Sequence, residues 1–247
     1  MAVEIGRVEA IFRYPVKSMR GEPLEVATLG WHGIEGDRRL AFRRMDDRSG
    51  FPWLSASRLP ELLRYAPQRR DHAENGLPTH VLSPDGVELP IFGDELAAEV
   101  GRRLGARVEM IRLDRGIFDE ASISVITFAT VVEISSLAGV TVDPRRFRPN
   151  LVVRTLRDVP YEEDDWLGGM LSFGGAGGPA VSVTLRDARC AIVNLDPDVA
   201  TPAPEVLKTV VRTRDNHAGV YGTVTRTGEL DVGQTVTLQI AAEAEKP

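Results

Sequence analysis

Apolar and β-branched residues fall along this chain in short runs broken by glycine, proline or charged residues. The runs are Val8–Tyr14, Leu24–Leu29, Arg39–Met45 and Arg107–Leu113 in the first half. Leu151–Arg154, Met170–Phe173, Val181–Arg186, Ala191–Asn194, Val220–Thr227 and Thr235–Ile240 follow in the second. Such runs read as strands, because branched and aromatic side chains suit a pleated, half-buried surface and the flanking residues suit turns. Many short strands with Gly-rich turns favour a barrel or sandwich over a parallel α/β sheet.

Three stretches carry a helical period instead. Asp94–Leu104 sets Leu96, Ala97, Val100 and Leu104 on one face, with Asp94 as the expected N-cap and Gly105 as the stop. Ala129–Leu137 is short and closes near Gly139, and Pro204–Arg212 opens on proline and ends on arginine, as helix termini favour. The polar stretch Pro67–Pro78 reads as a surface loop. Gly174–Pro179 reads as a hairpin loop, since it lacks the lysine and the strand–helix setting of a phosphate-binding loop. The expected division lies between Gly105 and Ser122, giving regions 1–115 and 116–247. The fold class is mainly β with a few helices.

Composition narrows the function. The chain has 247 residues, 43% of them hydrophobic, enough for one large core or two small ones. No apolar run approaches the roughly 18–20 residues that span a bilayer, and Met1–Gly6 lacks the basic-then-apolar order of a signal peptide. A net charge of −6 and a pI near 5.4 argue against a nucleic-acid partner. A single cysteine permits no internal disulfide and suits a reducing compartment, so the expected setting is cytoplasmic, without membrane.

That cysteine is Cys190, between Leu185–Arg189 and the apolar Ala191–Leu195, ahead of an Asp196-Pro197-Asp198 turn. A lone cysteine beside an apolar strand is commonly a small buried hydrophobe. Arg186 and Arg189 favour a thiolate instead, and the start of a strand lets the side chain face a cleft. Zinc and iron–sulfur sites fit badly: there is no Cys-x-x-Cys pair, and His32, His72, His80 and His217 are scattered. A single thiolate holds a metal only when another group, such as an organic dithiolene, supplies the other ligands. Tyr14–Met19, Gly33–Arg39 and Arg146–Asn150 each deliver cations at a strand boundary, and Arg forks and Lys suit phosphate. Each alone reads as solvated loop charge. Together with the cysteine they point to an anionic cofactor.

At these residues the chain resembles the MOSC family, named for the C-terminal domain of molybdenum cofactor sulfurases, over nearly its whole length. Val8 to about Arg115 resembles the family's N-terminal β-barrel domain, through Tyr14-Pro15-Val16-Lys17-Ser18 and Gly36-Asp37-Arg38. Ser122 to about Ile240 resembles the MOSC domain, through Arg146–Asn150, Tyr161–Trp166, Arg189-Cys190, Asp196-Pro197-Asp198 and Gly219–Gly222. The resemblance implies a MOSC-type β-barrel preceded by a smaller β-barrel-like domain, and a molybdopterin-type molybdenum cofactor.

In relatives similar to the mitochondrial amidoxime-reducing component, the counterpart of Cys190 ligates molybdenum, a role that suits a soft thiolate. Counterparts of Lys17, Ser18, Arg38, Arg148 and Asn150 contact the pterin or its phosphate, and Arg189 joins this set through the Arg189-Cys190 motif. Thr127 stands where relatives carry a serine near the cofactor, at an expected helix start that suits a phosphate. Ala188 replaces a hydroxyl residue of relatives, removing one hydrogen bond near the metal.

The implied activity is reduction of N-hydroxylated small molecules with Cys190 as a metal ligand. Without further cysteines for an iron–sulfur cluster, the electrons are expected from a separate protein. A cofactor carrier or sulfur-transfer module is the alternative, and a binding scaffold with a decayed site is the third reading. Tyr161–Trp166 is expected as a turn with Trp166 packed, Asp196 and Asp198 as a structural turn, and His217 on the surface.

Overall fold

In the computed structural model, which describes residues 2–70, 77–175 and 177–240, the first strand organises the barrel. Strand β1 (Ala2–Arg13) is followed by β2 (Glu22–Leu24), β3 (Val26–Gly30), β4 (Gly33–Ile34) and β5 (Leu40–Arg44). Next come β6 (Ala66–Gln68), β7 (His80–Leu82), β8 (Glu88–Pro90), helix α1 (Asp94–Leu104) and β9 (Val108–Arg112). The second half holds β10 (Ile123–Thr127), α2 (Phe128–Ala138), β11 (Leu151–Thr155), β12 (Gly169–Phe173), β13 (Ala180–Ala188) and α3 (Glu205–Arg214). It ends with β14 (His217–Arg226), β15 (Gly228–Asp231) and β16 (Thr235–Ile240).

The strand order β11-β10-β14-β13-β12-β16-β1 closes into a barrel, because β1 also pairs with β11. Only the β10–β11 pair is parallel within that ring. β1 is long enough to serve three neighbours: β16 over Ala2–Arg7, β11 over Gly6–Ile11 and β2 over Ile11–Arg13. At the crossing stands Gly6, where a Cβ would lie 2.2 Å from the Arg154 carbonyl oxygen. Val8, Ile11, Val125, Val153, Phe173, Val183 and Val220 fill the interior. Ala27, Leu29, Ile34 and Leu230 of the small β15-β3-β4 sheet join this core.

Two further cores follow. Helices α2 and α3 pack together over Phe12, Ile126, Val131, Ile134, Val152 and Val210. In the first half, β5–β9, the β6-β7-β8 sheet and α1 enclose Phe42, Leu54, Leu62, Tyr65, Leu96 and Val100, and Leu195 and Ala200 from the second half complete that cluster. A division at 115/116 therefore falls between β9 and β10 without separating the sheets, since strands from 1–115 pair with strands from 116–247.

Helix α1 has the expected bounds, with Gly105 in the left-handed C-cap conformation; the N-cap is Gly93, and Asp94 and Glu95 occupy the first turn, which suits the helix dipole. Leu24–Leu29 breaks at Glu25, so that its two parts serve different sheets. Ala191–Asn194 is a 3-10 turn rather than a strand: Val193 is buried against the α2–α3 core, and its N–H returns to the Cys190 carbonyl at 3.3 Å.

Pro67 and Gln68 belong to β6, so the expected loop begins as a strand; its residues 71–76, His72 among them, lie outside the described residues. Gly174–Pro179 is the β12–β13 hairpin loop, with Ala176 outside the described residues. Trp166 is packed at 1% exposure, and His217 is half-buried at the start of β14 rather than on the surface. Among the described residues no helix is long and apolar enough to cross a membrane.

Candidate functional site

Loops from both halves converge on a cleft of about 230 Å³. Lys17 and Ser18 enter from the turn after β1, Arg38 from the turn before β5, Arg148 from the approach to β11, and Arg189 and Cys190 from the end of β13. Three of these residues have left-handed backbones: Ser18 (φ 66°), Arg38 (φ 46°) and Arg148 (φ 50°). That conformation costs a non-glycine residue about 1 kcal/mol or more. Backbone hydrogen bonds hold it, from Arg38 N–H to Tyr14 O at 2.7 Å and from Arg148 N–H to Arg145 O at 3.1 Å.

Arg38 is held by two carboxylates. Its Nη1 lies 2.6 Å from Asp37 Oδ2 and its Nε 2.8 Å from Asp119 Oδ2. Burial works against its charge, but Asp37 and Asp119 outweigh burial and hold the guanidinium protonated above its ordinary range. Arg38 Nη2 also donates to the Arg148 carbonyl at 2.7 Å, which ties the two cationic loops together. Asn150 stands behind Arg38 rather than lining the cleft. Fully buried, it accepts from Ser124 N–H at 3.1 Å and from Arg38 at 3.3 Å, and donates to Phe12 O.

Arg148 is less satisfied. Its Nη1 donates to Met19 O at 2.8 Å and its guanidinium lies 4.2 Å from the Tyr14 ring centroid. Its Nη2 is buried and has no hydrogen-bond partner among the described residues. Burial, with Arg38 adding repulsion, brings its pKa down to about 10, still charged at neutral pH. Lys17 donates to Phe118 O at 2.8 Å; burial pulls its ammonium below the usual lysine range, against the attraction of Asp119.

Cys190 is exposed in the cleft and is not a core residue. The arginines expected to favour its thiolate are otherwise engaged. Arg189 donates to Ala218 O and Phe147 O and pairs with Asp187 at 2.7 Å, while Arg186 pairs with Asp164 at 3.2 Å. Neither is an unpaired charge beside the sulfur.

Thr127 is the clearest departure from expectation. It is the N-cap of α2, completely buried, and it does not line the cleft. Its hydroxyl and that of Thr130 donate to Glu163 Oε2 at 2.7 and 2.9 Å. The helix start that suits a phosphate is therefore occupied by the chain's own carboxylate, which burial pushes above the usual range.

Asp119, Asp187, Tyr221, Phe51, Ser55 and Ser57 also line the cleft, and the sequence pattern does not single them out as site residues. Asp187 and Tyr221 lie inside the motifs around Cys190 and Gly219–Gly222, and their polarity there was the available signal. The others sit in irregular segments that carry none. Ser124 Oγ donates to Asp187 at 2.8 Å, and burial, against the attraction of Arg189, pushes the Asp187 carboxyl up to about 6. Tyr221 OH donates to Asp119 at 3.1 Å. Asp196 closes its own turn by accepting from Asp198 and Val199 N–H groups, and Arg146 pairs with it at 3.2 Å.

Among the described residues no group of three or more His, Cys, Asp or Glu side chains stands ready for a metal. A metal on Cys190 would take its other ligands from another group; the cleft offers Lys17 and Arg148 to an anionic group of that kind, while its carboxylates Asp119 and Asp187 are paired with Arg38 and Arg189.

The sequence model of the MOSC domain matches residues 101–237, more than half of the chain. The chain therefore belongs to the MOSC domain family, which is associated with molybdenum cofactor binding. Among solved structures it is similar to the YuaD protein of Bacillus subtilis, at 13% identity over 98% of this chain and 99% of that one, with a TM-score of 0.53; the likeness is one of fold. It is also similar to YiiM from Geobacillus stearothermophilus (19% identity, 48% of this chain and 54% of that one, TM-score 0.38). A second YiiM, from Escherichia coli, gives 14% identity, 54% and 67% coverage and a TM-score of 0.37. No curated protein matches the chain.

Proposed function

We propose that this protein is a molybdenum-cofactor-dependent oxidoreductase that reduces N-hydroxylated or N-oxygenated small molecules with electrons from a separate electron-transfer protein. The observation that carries this reading is the one cysteine of the chain opening onto a cleft that gathers Lys17, Arg38 and Arg148. The buried Nη2 of Arg148, which lacks a partner among the described residues, is a donor suited to an anionic cofactor group.

When bound, the cofactor supplies the two-electron redox chemistry. The chain does the rest. Cys190 supplies a thiolate ligand. Lys17 and Arg148 meet negative charge in a partly desolvated site, where it counts for more than in water. Arg38, locked between Asp37 and Asp119, holds the Arg148 loop in its left-handed turn. Removing oxygen from a hydroxylamine-type substrate consumes two electrons and two protons and releases water. Asp187 places a carboxyl that exchanges a proton near neutrality in the wall of the cleft.

Elemental mass spectrometry of wild type and Cys190→Ala, purified from a cofactor-producing host, tests the reading. About one molybdenum per wild-type chain, lost in a variant with unchanged circular dichroism, is expected. No metal in either folded protein overturns it. The exposure of Cys190 also favours a second reading, a carrier that passes the cofactor onward. Transfer of bound cofactor to a metal-free molybdoenzyme, without turnover of N-hydroxylated probes, selects that one.

A further inference from the structure

One wall of the cleft comes from the irregular segment between β5 and the 3-10 turn at Pro60–Arg64, through Phe51, Ser55 and Ser57. Phe51 is 55% exposed, although it lines the cleft that holds Cys190. Its backbone is anchored. Arg44 Nη2 donates to Phe51 O at 2.8 Å, and Arg44 N–H donates to Pro52 O at 2.9 Å. The same guanidinium pairs with Asp47, which accepts from Ser49 N–H at 2.7 Å. Next to it, Trp53 bridges to Arg43 and packs edge-on against Phe118, with centroids 4.6 Å apart.

These contacts tie the segment to the cationic side of the cleft. Phe118 O accepts from Lys17 Nζ, and that ammonium lies 5.6 Å from the Phe51 ring centroid. An aromatic ring left open to solvent on an anchored backbone is a partly preorganised contact surface, because little backbone freedom remains to be lost on binding. Phe147, Ile192 and Val193 extend the apolar lining. Ser55 and Ser57 supply hydroxyls in the same wall, suited to a polar N–O head.

We propose that Phe51 is the specificity-determining residue of this cleft, a stacking platform that selects N-hydroxylated substrates carrying a flat, conjugated group beside the N–O bond. The inference rests on the reductase reading for the substrate's polar head, and on the structure of this segment for its flat part. Aromatic pairs gain from ring geometry beyond the area they bury, worth about two- to tenfold in affinity.

The test is calorimetric binding of a matched pair of N-hydroxylated amidines, one phenyl and one cyclohexyl, to protein of measured molybdenum content. Wild type is expected to favour the phenyl compound by about two- to tenfold. Phe51→Ala is expected to abolish that preference with molybdenum content unchanged. Phe51→Trp keeps the preference, whereas Phe51→Leu retains cyclohexyl binding and loses the preference. A wild type without preference, or a Phe51→Ala variant that keeps it, overturns the inference. Loss of molybdenum from Phe51→Ala also overturns it, by placing the ring against the cofactor. Because the readout is binding, a wild type that binds selectively but reduces neither compound leaves this inference standing and overturns the proposed reaction.

Discussion

Asp187 shows how one side chain carries both an energetic cost and a chemical use. Burial raises its carboxyl from 3.8 to about 6 even though Arg189 pairs with it. The folded protein therefore keeps a proton that the unfolded chain releases. Stability from this group is present below about pH 4 and lost as the pH rises through about 6, a difference of about 3 kcal/mol. Asp187→Asn retains an acceptor for Ser124 and removes the titration. The stability of the variant minus that of wild type is expected to rise by up to about 3 kcal/mol between pH 4 and 7. Urea unfolding of both proteins at the two pH values measures it, and parallel pH dependences would refute the assignment. No length of local pattern announces this, because Ser124, the donor to Asp187, lies 63 residues away.

Among the elements, the start of α2 separates structural from cofactor-binding roles. Thr127 caps the helix by accepting from Thr130 N–H at 3.2 Å and donates to the buried Glu163. Thr127→Ala is expected to lower stability by about 1–2 kcal/mol, from the lost cap and the lost bond to Glu163. Molybdenum content is expected to stay unchanged, and Thr127→Ser to restore stability. Metal loss from a folded Thr127→Ala protein would place the residue back in the cofactor site. Helix α1 was legible because one apolar face and a terminal glycine define it locally. β10 was not: all five of its residues are buried, which erases the alternation that marks a strand with one wet face. The turn at Ala191–Asn194 has the apolar pattern of a strand because its apolar residues serve tertiary cores rather than a ladder.

At the scale of the whole molecule, closure depends on β1, which lies between β16 and β11. The fragment 116–247 lacks that strand and the burial of Val8, Ile11 and Phe12. It is expected to show no cooperative thermal transition by circular dichroism, since an open barrel exposes two sheet edges and part of its core. A cooperative transition in the isolated fragment would show that the second half closes without β1.

The sequence by itself determined the mainly β character, the three helices, the hairpin at Gly174–Pro179 and the set of chemically useful residues around one cysteine. Those depend on local period, on turn chemistry and on residue type, and the family motifs order them. The tertiary structure decided how the charges are disposed. It paired Arg189 with Asp187 and set Arg186 beside Asp164, which Arg214 shares, left a buried nitrogen of Arg148 without a partner among the described residues, withdrew Thr127 from the cleft and brought Phe51 into it. The physical reason is that the charge and solvation of a side chain depend on partners distant in sequence. Arg38 finds Asp119, and Lys17 the carbonyl of Phe118, only once the loops of the two halves meet.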